Sequence, residues 1–516
     1  MQNLKEILLN EIDGFNEYGH KFINGEVSKM DFKHASGGMG VYAHRSGKEF
    51  MVRLRIPSGI TSIEEFKTVY DFAKKYNLGG IHLTTRQAIQ LHGLNIDEIC
   101  EVMRDALEKD IYTRGAGGNF PRNVAISPLS GVDPEEAFDV TPYALAVGNH
   151  FLKKIYTYKL PRKLKVSFSS SSEDGSHATI ADQGFLAVKE DGKEYFKVYI
   201  GGGLGRNPKL AVELGELVNP EDVLYHIEAI TNLFIAEGDY NNKGKARIRY
   251  ILDRMGEEEF IKCYKKHLVE VKKNGELELK LEQKSCNKAG VETKVSHPRL
   301  FAQKQKGLYS VYLHPMGGQL KIEDFKLLLD EIENIEDVEI RLSMSEGLYI
   351  RNLNGTEAEN LLKITEGMGG NTRLEQSTAC IGVPTCQIGV LESQETLNKV
   401  IEYFREKNFT KDVLPKLHIS GCPNSCGVHE IGSIGFCGKV KRVNDATANV
   451  FEVHIGGNLG IGKTRLGDYY GDILQEKVPE FLYELANVVD SSNIEFYAWL
   501  ENSQEEMKVL FEKHKV

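Results

Sequence analysis

The chain repeats itself, and this constrains its fold more than any other property. The stretch FMVRLRIPSGITSIEEFKTVYDFAKKY, from Phe50, resembles YSVYLHPMGGQLKIEDFKLLLDEI, from Tyr309. Each reads as an alternating apolar strand, a Pro-x-Gly turn, a polar cap and a helix with apolar residues at helical spacing. A second strand follows in each copy, GGIHLTT around Ile81 and VEIRLSM around Ile340. LPRKLKVS at Leu160 is echoed by LPKLHIS at Leu414, and VYIGGGLG at Val198 by VHIGGNLG at Val453. Pro315 follows Pro57 by 258 residues, Lys416 follows Lys163 by 253, and Ile455 follows Ile200 by 255. Chance matches would not share an offset near half the chain length, so the whole chain is a duplication. Two pseudo-equivalent halves about a pseudo-twofold axis are expected, with a site at their junction.

At 516 residues the chain exceeds what a single core holds, so several domains are expected. The pattern predicts an α+β fold: a helical arm (1–37), a half-domain (38–112) and a larger α+β domain (113–260). A charged linker (261–300), a second half-domain (301–372) and a second α+β domain (373–516) follow. Leu4, Ile7, Leu8, Ile12 and Phe15 suit one face of a helix in the arm. In the linker, the alternating runs VEV and LELKL suggest a hairpin. The opening has early acidic residues and no long apolar run, and nowhere do eighteen apolar residues run together. Neither a signal peptide nor a membrane span is therefore expected, and the location expected is cytoplasmic. A net charge of −10 argues against nucleic acid as partner. An anionic substrate would need a positive site set against that field.

GGGLGR from Gly201 follows a strand but misses G-x-G-x-x-G, because Arg206 stands where the third glycine belongs. GGNLGIGK from Gly456 fails likewise. Both read as glycine turns whose N–H groups approach an anionic ligand, with Lys463 and Arg465 adding charge to the second. Of eight cysteines, Cys100, Cys263 and Cys286 are scattered and read as packing residues. Cys380-x5-Cys386 and Cys422-x3-Cys426 form two pairs in the C-terminal third. Four thiolates in two pairs suit a cubane iron–sulfur cluster. A zinc site remains the competing assignment, although five intervening residues is loose for a zinc knuckle. Disulfides are disfavoured in a cytoplasmic chain. Cys437, outside this set, reads as packing.

ACIGVPTC followed by GCPNSCG resembles the sirohaem-dependent sulfite and nitrite reductases. TTRQAIQLHG at Thr84, GNFPRNVAISPLSGVDPEEAFDVTPYA at Gly118 and LPRKLK at Leu160 resemble them too, in the same order, over about residues 40 to 470. The resemblance implies that the half-domains are ferredoxin-like and that the cofactors are sirohaem and a [4Fe–4S] cluster. It further implies that Cys380, Cys386, Cys422 and Cys426 hold the cluster, with Cys426 bridging to the sirohaem iron. Arg86, Arg122, Lys163 and Lys165 would face the substrate. Singly, the two arginines read as surface or salt-bridged groups, and the two lysines as one solvated strand face. Arg53, Arg55 and Asn123 would hold the macrocycle's carboxylates, helped by Gly202, Gly457 and Asn458 in the glycine loops. His82 and His92 read as structural. The implied reaction is reduction of sulfite to sulfide by six electrons, with nitrite to ammonia as the alternative. Lys-x-Lys at 163–165 is the sulfite-type form, whereas PLSGVDPEE and GSIGFCGK look more like nitrite reductases. No flavin or nicotinamide motif is present, so the donor is expected to be a separate protein, a ferredoxin by resemblance. The rival from another class is a non-enzymatic zinc or iron–sulfur binding protein.

Overall fold

Strand Phe50–Leu54 and its copy Leu308–Leu313 each lead into the repeated turn and helix, and the chain then does something that periodicity cannot announce. In this computed structural model, which describes residues 2–281 and 286–516, the two half-domains exchange a strand. Gln319–Lys321, from the second half, closes the first half's sheet beside Gly80–Leu83, with Leu320 opposite Ile81. Ile60–Thr61, from the first half, closes the second half's sheet beside Glu339–Leu342, with Thr61 opposite Ile340. Gly80 has to be glycine, since a Cβ there would lie 2.2 Å from the Leu320 carbonyl oxygen.

Three of the half-domain helices start for local reasons. Ser62 and Glu65 make a capping box for Ile63–Lys75, and Asn95 and Glu98 make another for Ile96–Glu108. Asn354 and Glu357 repeat the second device at Gly355–Ile364. Phe66, Val69 and Phe72 on one helix meet Phe325 and Leu328 on Ile322–Ile332, the Phe66 and Phe325 rings lying 4.4 Å apart. The two half-domains thus share one core. Leu320, only 2% exposed, sits in that core from the other half's chain. Leu320→Ala should cost about 2–5 kcal/mol, read by denaturant titration. A single transition should persist, because neither half-domain sheet is complete without its partner's strand.

Each larger domain holds a five-stranded mixed sheet with its own core. In the first, Ala125–Ile126, Val166–Ser169 and Gln183–Glu190 run parallel, followed antiparallel by Lys193–Ile200 and Val212–Val218. In the second, Thr378–Ala379, Leu417–Ser420 and Ile434–Val443 run parallel, followed by Ala446–Ile455 and Asp468–Leu474. The halves correspond down to single backbone angles. Asp174 and Ser425 have φ of 55° and 54°, and His177 and Val428 have 63° and 51°. Gln87 Oε1 accepts the Ile126 N–H at 3.0 Å, and Glu346 Oε2 accepts the Ala379 N–H at 2.9 Å. Residues 166–169 match 417–420 at an offset of 251, so Lys416 stands where Lys165 stands and not, as the sequence pairing has it, at the place of Lys163. Cys422 and Cys426 fall at the places of Ser171 and Gly175.

Two expectations fail. Ile7 is exposed, and the buried stripe of helix Gln2–Ile23 is Leu8, Ile12, Phe15 and Phe22. The linker forms no hairpin among its described residues: Glu257–Asn274 is one helix that takes in the VEV run, and 275–281 carry no strand. Phe260 and Tyr264, one turn apart, anchor that helix in the core, and three glutamates open it. The expected linker also includes 282–285, which lie outside the described residues.

In the first large domain a buried carboxylate ties helix Val223–Glu237 to its neighbours. Glu228 Oε1 accepts from His150 (2.5 Å), Tyr158 (2.5 Å) and Lys154 (2.9 Å). Burial alone would raise its pKa, but these three donors prevail and hold it at about 2, against an ordinary 4.5. A lowered folded-state value means stability that is present above the ordinary pKa and lost as pH falls through the folded one. Glu228→Gln should cost about 3 kcal/mol at neutral pH. The difference from wild type should vanish between about pH 4.5 and 2, as followed by denaturant midpoints.

Candidate active site

Parallel neighbours deliver their C-terminal ends to the same edge of a sheet, and loops leaving that edge meet. Thr378–Ala379 and Leu417–Ser420 are such neighbours. Cys380 and Cys386 leave the first, and Cys422 and Cys426 leave the second. All four thiols line one cavity of about 1260 Å³ between the halves. Cys426 is exposed to it, Cys422 is buried, and the other two lie between. Gly421 donates its N–H to Cys380 Sγ at 3.2 Å, and the Asn424 amide donates to Cys422 Sγ at 3.3 Å. Burial pushes the Cys380, Cys386 and Cys422 thiols up, so thiolates there need a cation. None of the eight cysteines is in a disulfide. Among the described residues no three His, Cys, Asp or Glu side chains converge as ligands of a single ion. A cubane places each thiolate on a separate iron, whereas tetrahedral zinc draws its ligands to one point. Cys100 and Cys437 are buried in cores, and Cys263 is half-buried against one.

The facing wall belongs to the first half. There the loops leading into Ala125–Ile126 and Val166–Ser169 carry Arg122, Lys163 and Lys165. Arg86, on the turn after Gly80–Leu83, reaches the same wall. Its Nη2 donates to the Asn123 carbonyl (2.5 Å) and the Val166 carbonyl (3.2 Å), while its buried Nε has no partner. Arg122 donates to the carbonyls of Gly117 (2.7 Å) and Gly118 (2.9 Å). Among the described residues the ammonium groups of Lys163 and Lys165 have no hydrogen-bonded or ion-paired partner and line the cavity. Burial, reinforced by neighbouring cations, lowers Lys165 to about 7 and Lys163 well below its usual range. Burial likewise brings Arg86 to about 10 and Arg122 to about 9. Among the described residues twelve lysines and arginines line the cavity, against one carboxyl group, Glu346. Burial pushes that group well above the ordinary carboxylate value, which disfavours its charged form. Among the described residues only Arg247, with Asp182, and Arg114, with Glu11, of these twelve are ion-paired, and such an excess of cations at one cavity calls for an anionic occupant.

Arg53 and Arg55 also line the cavity. Arg53 donates to the Ala116 carbonyl at 2.9 Å, and Arg55 is buried and lowered to about 10. Asn123 lies there too, but its amide is committed to backbone: it accepts from Ser58 N–H and donates to the carbonyls of Ile56 and Gln87. That arrangement fixes the turns bearing Ser58 and Arg86. The structure does not bring Gly202, Gly457 or Asn458 to the cavity wall. A Cβ on Gly202 would meet the Ile180 and Ala181 carbonyls at 2.7 Å, and one on Gly457 the Gly432 carbonyl at 2.6 Å. These glycines permit close backbone packing within their own halves. Asn458 accepts from the N–H of Leu459, and Lys463 is exposed beside Glu173. Arg465 donates to the Gly456 carbonyl, away from the cavity. His82 and His92 are on the cavity wall, each within hydrogen-bond distance of Gln90.

Sequence reasoning missed Arg162, Arg247 and Asp182. Arg247 lines the cavity and grips Asp182 with two 2.9 Å bonds, and Asp182 also accepts the Lys165 N–H at 2.7 Å. The run Arg162-Lys163-Leu164-Lys165 gave some signal for the first of them. Arg247, in the polar run NNKGKARIRY, gave none.

The family model for the nitrite and sulphite reductase 4Fe-4S domain matches residues 117–272, and that for the nitrite/sulfite reductase ferredoxin-like half domain matches 42–109. A chloroplastic ferredoxin–nitrite reductase of Spinacia oleracea is 27% identical over 83% of this chain and 72% of its own length. A sulfite reductase [NADPH] hemoprotein beta-component of Anoxybacillus flavithermus is 28% identical over 85% of this chain and 80% of its own. The solved NirA protein of Mycobacterium tuberculosis superposes with a TM-score of 0.80, covering 98% of this chain and 96% of that one, at 22% identity. That likeness speaks to the fold. With duplicated ferredoxin-like half-domains, two thiol pairs on one edge and a basic wall opposite, the chain carries the 4Fe-4S domain and the ferredoxin-like half domain of nitrite and sulphite reductases and is similar to both kinds of enzyme.

Proposed function

We propose that the chain reduces sulfite to sulfide, a six-electron reaction, at a sirohaem coupled to a [4Fe–4S] cluster in this cavity. The observation that carries the proposal is the meeting of four free thiols and twelve cations on one cavity, where the ammonium groups of Lys163 and Lys165 lack partners among the described residues. The donor set fits the cofactors. Cys380, Cys386, Cys422 and Cys426 would hold the cluster, with Cys426 shared with the sirohaem iron. Arg53 and Arg55 offer charge to the macrocycle's carboxylates. When bound, the two centres supply the electrons and an iron that takes the substrate's sulfur or nitrogen.

The protein's own share is electrostatic and protonic. Arg86, with an uncommitted Nε, and Arg122 would orient the oxyanion. Lys163 and Lys165 would stabilise its charge and hand protons to oxygens leaving as water. Burial has brought Lys165 to about 7, where an ammonium both exists and readily gives up its proton near neutral pH. Asp182, hydrogen-bonded to its N–H, holds the strand entry in place. Electrons would come from a separate protein, a ferredoxin by analogy with the spinach relative. We also assign the reaction to the cytoplasm, where eight free thiols stay reduced.

Nitrite is the second substrate, favoured by the likeness of PLSGVDPEE and GSIGFCGK to nitrite reductases. Lys165 tips the choice to sulfite, because a second cation favours a dianion over a monoanion. The test is kcat/KM for each anion with reduced viologen as donor. Wild type should prefer sulfite, and Lys165→Asn should lower that preference at least about tenfold. A nitrite preference in wild type that Lys165→Asn leaves unchanged would overturn the substrate assignment.

A further inference from the structure

A net charge of −10 repels the oxyanions that this site is proposed to take, so their way in needs its own explanation. The cavity reaches solvent beside helix Lys29–Met39 and the loop around Lys243, where exposed residues line it. Lys29, Lys33 and His34 lie on one face of that helix, and Lys243 comes from the first large domain. Lys243 Nζ donates to His34 Nε2 at 2.8 Å across 209 residues of chain, so the contact spans the two lips of the opening. Among the described residues none of the three lysines has a carboxylate within ion-pair distance. Elsewhere on the surface lysines are commonly paired, as Lys67 is with Glu333 and Lys75 with Glu101 and Asp105. An acidic protein that leaves three lysines unpaired at one opening has a local field opposite in sign to its overall one. Within a Debye length, about 8 Å at physiological ionic strength, the local field governs what approaches.

We infer that Lys29, Lys33 and Lys243 form a basic collar that draws small oxyanions into the cavity and favours dianions over monoanions. These residues touch no reacting atom. Their effect is on the capture of substrate, and so on kcat/KM, not on kcat. The attraction scales with the product of the charges, so screening should act about twice as strongly on sulfite above pH 8, where it is a dianion, as on nitrite. Hydroxylamine, a neutral substrate of the same N–O class, should be indifferent.

This inference rests on the proposed reductase reading, and its test separates the two. Viologen-driven kcat/KM is measured against ionic strength for wild type and for the triple variant K29Q/K33Q/K243Q. Wild type should fall steeply with salt for sulfite and half as steeply for nitrite. The variant should lose on the order of tenfold in kcat/KM for sulfite at low salt, with a flattened slope and kcat unchanged. Hydroxylamine turnover should be equal in both proteins. Equal salt slopes for wild type and variant would overturn the collar, and so would a loss that includes hydroxylamine. Should wild type reduce neither anion, the reductase reading fails. The collar is then judged by calorimetric binding of sulfite to the unloaded chain, which it requires to be weaker in the variant at low salt and equal at high salt.

Discussion

Cys426→Ser should abolish viologen-driven turnover while leaving the fold intact. Cys426 is exposed to the cavity, and its loop conformation is set by neighbours, among them Ser425, whose hydroxyl bonds Glu430. No core packing is lost with its sulfur. A serine alkoxide is a poor ligand for iron, so the cluster loses a corner and with it the proposed link to the haem. Circular dichroism should be unchanged, iron and acid-labile sulfide should fall, and the spectral coupling between the two centres should disappear. Cys437→Ser is the contrast: Cys437 is 2% exposed in a strand away from the cavity, and its variant should keep turnover. Full activity in Cys426→Ser would rule out a shared thiolate between the centres.

Lys163→Met should lower kcat about 10²–10³-fold with the haem spectrum intact. The ammonium lies in a buried wall with Lys165, Arg122 and Arg247, and burial together with those cations drives its pKa down. Methionine keeps the stem's volume and removes the charge and the proton. Because the group would act on charge that develops as oxygen leaves, the loss should fall on kcat more than on KM. Folding should not suffer, since a buried ammonium without a partner is itself unfavourable. Lys463→Met, at an exposed residue paired with Glu173, should change nothing. Unchanged turnover in Lys163→Met would end the proposed role.

The duplication was legible because it is written in spacing, and spacing survives when residues diverge. What spacing could not tell is which sheet a strand joins. Gln319–Lys321 alternates like any strand after a turn, and its partner lies in the other half of the chain, so the exchange is a fact of tertiary structure. The thiol pairs were legible as a group for the same reason as the duplication. The glycine loops misled because a glycine that admits a ligand and one that admits a neighbouring carbonyl look alike in sequence. Gly202 and Gly457 are of the second kind. The hairpin expected near residue 270 lost to a helix whose anchors, Phe260 and Tyr264, lie upstream of the alternating run. Asp182 and Arg247, 65 residues apart, became visible as a pair only when the fold joined them.

The duplication also explains how the site divides its work. The first half keeps the loop geometry of the second, but with Ser171 and Gly175 where Cys422 and Cys426 stand. The second half has Ser345 at the place of Arg86. One copy offers thiols and the other cations, and neither would make the site alone.

Multi-electron reduction of a small oxyanion in this one cavity is tested most directly by anaerobic stoichiometry, with protein shown to contain iron, acid-labile sulfide and sirohaem. Reduced viologen is the donor and sulfite the substrate, and oxidised viologen and sulfide are counted together. The expected result is six electrons per sulfide released. No viologen oxidation above background with sulfite or nitrite, both centres being present, would contradict it.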